Sequence, residues 1–132
     1  MEEVLKFMKN HYSFWLATVD GDKPRLRPFG FKMGFEGKLY FSTGSHKEVY
    51  RQIVENPNIE ACVMADDEEW VRISGRAVFD ERPEAKAKAF EEAPVFNSHY
   101  GSIDNPIFKI FYLEDAKAVF NKRGEGSREV RF

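Results

Sequence analysis

The stretch Ser42-Thr43-Gly44-Ser45-His46-Lys47-Glu48 concentrates hydroxyls, a glycine and two basic side chains where a strand pattern meets a helix pattern. Ser45 and Glu48 have the spacing of a capping box. In that motif the serine oxygen accepts from one orphan amide and the glutamate reaches back to another. This arrangement needs no ligand, but it leaves His46 and Lys47 unexplained. Cations in a first helical turn sit at the positive end of the macrodipole, the wrong end for them. Their placement makes sense when an anion completes the site. Helix-start amides, hydroxyls and a lysine together describe a phosphate pocket. Arg25 and Arg27 stand two apart in an extended stretch, so they project from one face. Two like charges there need either water or a shared anion. If both converge with Lys47, the pocket suits a dianionic phosphate, with each charge-assisted hydrogen bond contributing roughly 1.5–3 kcal/mol.

The elements that must position these groups follow from periodicity and punctuation. Val4, Leu5, Phe7 and Met8 recur at helical spacing, which predicts a short amphipathic helix over 2–10. Residues 14–19 are β-branched and aromatic and end at Asp20-Gly21-Asp22, a strand followed by a hairpin turn. Residues 25–33 and 38–43 read as the next strands, with Gly34 and Gly37 at the turn between them. Val49 with Ile53, and Tyr50 with Val54, have helical spacing, and Asn56-Pro57 stops that helix. Residues 58–65 form a strand, 66–69 an acidic, solvated hairpin tip, and a long strand runs on to Asp80. Pro83 opens an Ala-, Glu- and Lys-rich helix through residue 92. Residues 93–106, with Pro94, Gly101 and Pro106, read as a loop. Strands follow at 107–113 and 116–120, broken near Glu114-Asp115, and 121–132 is a polar, mobile C-terminal tail. The early connections are too short for parallel crossovers. The expected fold is therefore mainly β: an antiparallel six- to seven-stranded split barrel with short peripheral helices, in one domain spanning 1–132.

Composition narrows the function. The net charge of −2 argues against nucleic acid as the main partner. The N-terminus lacks the basic start and apolar run of a signal peptide, and no stretch is long enough to span a membrane. Cys62 is the sole cysteine, which rules out an intramolecular disulfide and makes the cytoplasm the expected compartment. It lies in an apolar run and reads as buried packing. The three histidines have no metal spacing. His99 is either a proton donor at the site or an ordinary solvent-exposed loop residue. Thirteen phenylalanines are many for a core of this size, which points either to rings at an interface or a flat ligand or to an aromatic-rich β core.

Several of these pieces, in this order, are familiar. Pro24-Arg25-Leu26-Arg27-Pro28-Phe29-Gly30-Phe31, Lys38-Leu39-Tyr40-Phe41-Ser42-Thr43, Ser45-His46-Lys47, Glu55-Asn56-Pro57 and Trp70-Val71-Arg72-Ile73-Ser74-Gly75-Arg76-Ala77 together resemble the flavin-binding core of the pyridoxamine 5'-phosphate oxidase-like family. The resemblance covers most of 12–120. It implies FMN bound at a homodimer interface. Arg27, Pro28, Phe29, Gly30 and Phe31 would run along the isoalloxazine and ribityl chain. Phe41, Ser42 and Thr43 would continue the pocket, and Ser45, His46 and Lys47 would hold the phosphate. Trp70 stands where the family places a polar flavin contact, and Phe120 where a partner-chain Trp meets the ring. After Phe120 only Asn121-Lys122-Arg123-Gly124 and a short tail follow, not the family's C-terminal Arg/His motif for the pyridoxal substrate. Pyridoxamine phosphate oxidation is therefore not expected, and the chain looks closer to short members that resemble nitroimidazole-resistance proteins or flavin reductases. The implied function is an FMN-dependent oxidoreductase, with NAD(P)H as a candidate reductant and a small-molecule substrate. The alternative is a carrier module for flavin, haem or deazaflavin without turnover.

Overall fold

The computed structural model describes residues 1–65 and 68–132. In chain order the elements are α1 (Glu2–Lys9), β1 (Phe14–Asp20), β2 (Lys23–Phe29), β3 (Met33–Phe35), β4 (Lys38–Gly44), α2 (Glu48–Glu55), β5 (Asn58–Met64), β6 (Glu69–Phe79), α3 (Pro83–Glu92), α4 (Phe96–Tyr100), β7 (Phe108–Lys122) and β8 (Arg128–Arg131). The strands form one antiparallel sheet in the order β2-β1-β5-β6-β7-β4-β3, with β8 added on β7. The first and last strands of that path, β2 and β3, are joined by residues 30–32 alone. Four residue steps reach at most about 14 Å, whereas a flat seven-stranded sheet is roughly 29 Å wide. The sheet must therefore curl until its edges nearly meet, which is a split barrel.

This crossing corrects the expected continuous strand over 25–33. Residues 25–29 pair with β1 and, within this stretch, only Met33 pairs with β4, at the opposite edge of the path, so the chain has to leave one ladder before entering the other. The expected break at Glu114-Asp115 is a bulge within a single long strand. Asp115 takes φ 52°, and the β6–β7 register shifts between Ser74 and Arg76. A Cβ on Gly75 would lie 3.3 Å from the Glu114 carbonyl oxygen, so the close approach at the bulge favours glycine. The expected irregular tail is also corrected: β8 pairs with β7, and Phe132 and Ala116 exchange backbone hydrogen bonds. Among the described residues there are eight strands rather than six or seven. The 93–106 loop contains α4, whose Phe96 and Tyr100 pack at 5.1 and 4.9 Å from the Phe108 ring. Of the predicted 66–69 tip, Asp66 and Asp67 lie outside the described residues. Glu68 pairs with Arg123 at 3.1 Å, and Glu69 begins β6.

Two apolar clusters fill the molecule. One lies inside the barrel around Phe14, Leu16, Phe41, Ile73 and Phe111. The other lies under α3 and α4 around Tyr40, Phe90, Phe96 and Phe108. All thirteen phenylalanines belong to or pack against these clusters. The phenylalanine surplus is thus spent largely on two cores. Among the described residues, no helix is long and apolar enough to cross a membrane.

Candidate functional site

A cleft of about 420 Å³ opens where the split in the barrel, the end of β4 and the α3–α4 turn come together. Arg27, Pro28, Phe29, Gly30 and Phe31 line one wall, Ser42, Thr43 and Lys47 a second, and Phe96, His99 and Tyr100 a third. Alternation puts Thr43 inward on β4, where it is buried. Its Oγ1 has no hydrogen-bond partner among the described residues. A buried hydroxyl left unsatisfied costs about 1–3 kcal/mol, so an orphan in a cleft wall is a place for a ligand atom.

The cations are equally unbalanced. Arg27 donates from Nη1 to Thr18 Oγ1 at 2.7 Å and to the Leu16 carbonyl at 3.3 Å, and from Nη2 to Gln52 Oε1 at 2.7 Å. Every one of these acceptors is neutral. Burial first, and the nearby Arg25 second, lower Arg27 from the usual guanidinium range, and it remains a cation. Among the described residues no carboxylate pairs with Arg27, and neither Lys47 nor His46 has an ion pair. The expected Ser45–Glu48 capping box does not form. The N-cap of α2 is Lys47, in extended conformation, and no side chain caps the helix. Ser45 sits two residues too early, its amide bonded to the Ile107 carbonyl and its hydroxyl reaching the Pro106 carbonyl at 3.4 Å. Glu48 instead accepts from Arg51. The start of α2, with Lys47 and Val49 in the cleft wall, is left without a local partner.

Seven of the predicted site residues therefore meet in one place: Arg27, Pro28, Phe29, Gly30, Ser42, Thr43 and Lys47. Six do not line the cleft. Arg25 shares a strand face with Arg27 but lies nearer the hairpin end, where its Nε donates to Asp20 at 3.2 Å. Phe41 alternates into the barrel core against Phe14 and Phe111. Ser45 is tied to the chain before β7, and the exposed His46 folds its ring over Gly44, in space a Cβ there would fill. Phe120 is buried beside Phe7, under the Arg128 guanidinium. Trp70 lies near the β5–β6 turn, stacked on Arg72. Sequence reasoning missed Tyr12, Ala93, Val95, Phe96 and Tyr100 as lining residues. The one signal was the i,i+4 spacing of Phe96 and Tyr100, masked by the flanking turn-formers. His99 is exposed on α4, and it faces the cleft.

Next to the cleft, the outer face of the sheet carries exposed apolar side chains beside an Arg72–Glu60 ion pair. Pro28, Trp15 and Cys62 stand in one cross-strand row, Leu26 and Ala17 in the next, and Met64 opposite Trp70. Trp15, Leu26 and Met64 are 52%, 67% and 64% exposed, far above the buried residues that alternate with them. Cys62 is half-buried on this outer face rather than in the core, and burial pushes its thiol up, away from nucleophilic use. Pro28 belongs both to this face and to the cleft wall. Among the described residues, no group of acidic, histidine or cysteine side chains could hold a metal ion.

Known proteins share this architecture. A NimC/NimA family protein from Clostridium acetobutylicum superimposes with a TM-score of 0.95 at 32% identity, covering 100% of this chain and 92% of its own. General stress protein 26 from Bacillus anthracis str. Sterne gives 0.79 at 18%, covering 99% and 97%. A pyridoxamine 5'-phosphate oxidase-related, FMN binding protein from Nostoc punctiforme PCC 73102 gives 0.65 at 17%, covering 97% and 85%. No curated protein sequence matches the chain. The family model for pyridoxamine 5'-phosphate oxidase matches residues 1–119. With nearly the whole chain matched in sequence and the same split barrel in structure, the chain belongs to the pyridoxamine 5'-phosphate oxidase-like family.

Proposed function

We propose that the chain binds FMN in this cleft and works as a flavin-dependent oxidoreductase on a small substrate. The observation that carries the reading is a coincidence in one cleft. The orphan Thr43 hydroxyl, two cations without carboxylates and an aromatic wall all line it. FMN has matching parts: a dianion, a polar chain and a flat ring. Arg27, Lys47 and the uncapped start of α2 would hold the phosphate, with Ser45 and His46 flanking it. Ser42 and Thr43 would meet the polar chain. The Phe29-Gly30 backbone and the Phe31, Phe96 and Tyr100 rings would bound the isoalloxazine. The FMN-binding description of the Nostoc relative supports the same cofactor. Bound FMN would supply the redox chemistry, taking electrons from a reductant such as NAD(P)H and giving them to the substrate. The chain's own work is to bind, orient and exclude water. The His99 imidazole, in the cleft wall, is placed to exchange a proton with a substrate.

The same reading calls for a homodimer. Trp15, Leu26 and Met64 exposed together on one face mark an association surface, and that face runs into the cleft at Pro28. A second copy on that face would cover Trp15, Leu26 and Met64 and shield the cleft mouth. Trp70 would then approach a ligand only from the partner.

The spectrum of the purified protein, as isolated and after FMN is added, tests the proposal. Oxidised-flavin absorption is expected, bleached by NADH or NADPH and restored by an electron acceptor. No flavin bound after reconstitution would overturn the cofactor. Bound flavin that neither nucleotide bleaches would favour a carrier. Light scattering should give the mass of a dimer, reduced to a monomer by Trp15→Glu.

A further inference from the structure

Arg27 is held in an unusual way for a half-buried guanidinium. Its two terminal nitrogens donate to Thr18 Oγ1 and Gln52 Oε1, each at 2.7 Å. Thr18 in turn donates its own hydroxyl to Gln52 Oε1 at 2.5 Å. Three side chains from β2, β1 and α2 thus close a ring of hydrogen bonds. Thr18 and Gln52 are each only 3% exposed, so the ring is fixed by packing. The donors also settle which end of the Gln52 amide faces Arg27: only the oxygen can accept from a guanidinium.

The nearby carboxylates are occupied elsewhere. Glu48 and Glu55 accept from Arg51 at 2.7 and 3.2 Å. Asp20 accepts from Arg25 at 3.2 Å and from Arg51 at 3.4 Å. Arg51 and Gln52 are consecutive on α2, with Arg51 on the exposed side and Gln52 on the buried side. The exposed position gathers the acids, and the buried one offers an amide. A carboxylate at 52 would orient Arg27 equally well, but it would cancel the charge.

We propose that Gln52, together with Thr18, is a positioning residue. It fixes the Arg27 guanidinium in the cleft while leaving its positive charge for an anionic ligand, so the site selects the phosphorylated flavin over riboflavin. This rests on the FMN reading above and adds to it the origin of the phosphate preference. Charge-assisted bonds to a preset donor avoid the entropy of ordering a free arginine, and the neutral acceptors leave its field uncompensated.

Flavin fluorescence titrations of the apoprotein test it, with FMN and riboflavin as probes over a range of salt. Gln52→Glu should weaken FMN by about tenfold, change riboflavin little and make FMN binding less salt-dependent. Its melting temperature should hold or rise, because Arg27 gains an ion-pair partner. Gln52→Met removes the anchor but not the charge, so FMN should weaken while the salt dependence stays. In an Arg27→Ala background, Gln52→Glu should have no further effect on FMN. Equal losses for FMN and riboflavin, or the same loss with and without Arg27, would mean a purely structural role and overturn the proposal. So would a Gln52→Glu protein that binds FMN like the wild type. Those results leave the FMN reading standing. A wild-type chain that binds neither flavin removes that reading, and this inference with it.

Discussion

Two polar clusters in this barrel are built on opposite principles. At the β6–α3 corner, Asp80 accepts from Tyr40 at 2.7 Å and from Arg82 at 3.0 Å, while Arg82 also reaches Glu36 at 3.0 Å. Nearby, Glu81 takes both Lys86 and Lys109. Acids and bases there are matched, so Asp80 and Lys86 can be buried without a ligand. At the cleft, Arg27 leans on neutral oxygens, Lys47 has no ion pair among the described residues and Thr43 Oγ1 has no partner. The first arrangement stabilises the fold. The second is completed by something that is not part of the chain. The size of a hollow does not separate these cases: the one beside Asp80 and Arg82 measures about 520 Å³, more than the cleft. The balance of donors and acceptors around it does.

Breaking each cluster should move a different readout. Arg27→Ala with Lys47→Ala removes two charge-assisted contacts of roughly 1.5 kcal/mol each, which is more than about 100-fold in FMN affinity. Flavin fluorescence titration measures this, and circular dichroism should show the barrel intact. Tyr40→Phe removes a donor from the buried Asp80 carboxylate and should cost about 2 kcal/mol of stability in a denaturant titration. FMN affinity should not change, and a loss there would join two clusters that the contrast keeps apart.

Thr43→Val is a smaller and more pointed change. It removes the orphan hydroxyl at nearly constant shape. The apoprotein should gain up to about 1 kcal/mol, and FMN binding should weaken by roughly fivefold. A loss of stability in the apoprotein would show that the hydroxyl already has a partner. Acid gives the mildest probe. Burial pushes the Asp80 carboxyl up, but hydrogen bonds from Arg82 and Tyr40 outweigh it and hold it below the usual range. Its pairing therefore contributes fully above the unfolded value of about 3.9 and is lost as pH falls through the lower folded value. Melting temperature should hold through mildly acid solution and drop below about pH 4. Tyr40→Phe should make that drop shallower.

The legible part of the site was the part carried by local pattern. Ser42, Thr43 and Lys47 follow one another at a strand-to-helix junction, and Arg27 to Gly30 form one extended run. Both segments do reach the cleft. The capping box failed because the helix starts at Glu48, later than the Ser45–Glu48 spacing implied. Arg25 failed because Asp20, across the hairpin turn, holds its guanidinium away from the cleft, through a carboxylate shared with Arg51. Phe41 failed because, on the same inward face as Thr43 but two residues further from the end of the strand, it is packed on Phe14 and Phe111. The third wall was hidden because Pro94 and Gly101 suggested a loop, while Phe96 and Tyr100 fold on Phe108, which comes later in the chain.

By itself the sequence determined the strand and helix periods, the antiparallel class and the basic, hydroxyl-rich junction. Those are properties of neighbours along the chain. Only the tertiary structure decided which cations stay unpaired, which hydroxyl is orphaned and which aromatic rings face the cleft. Each of these depends on partners brought from far along the chain, because charge balance and burial are sums over everything nearby in space.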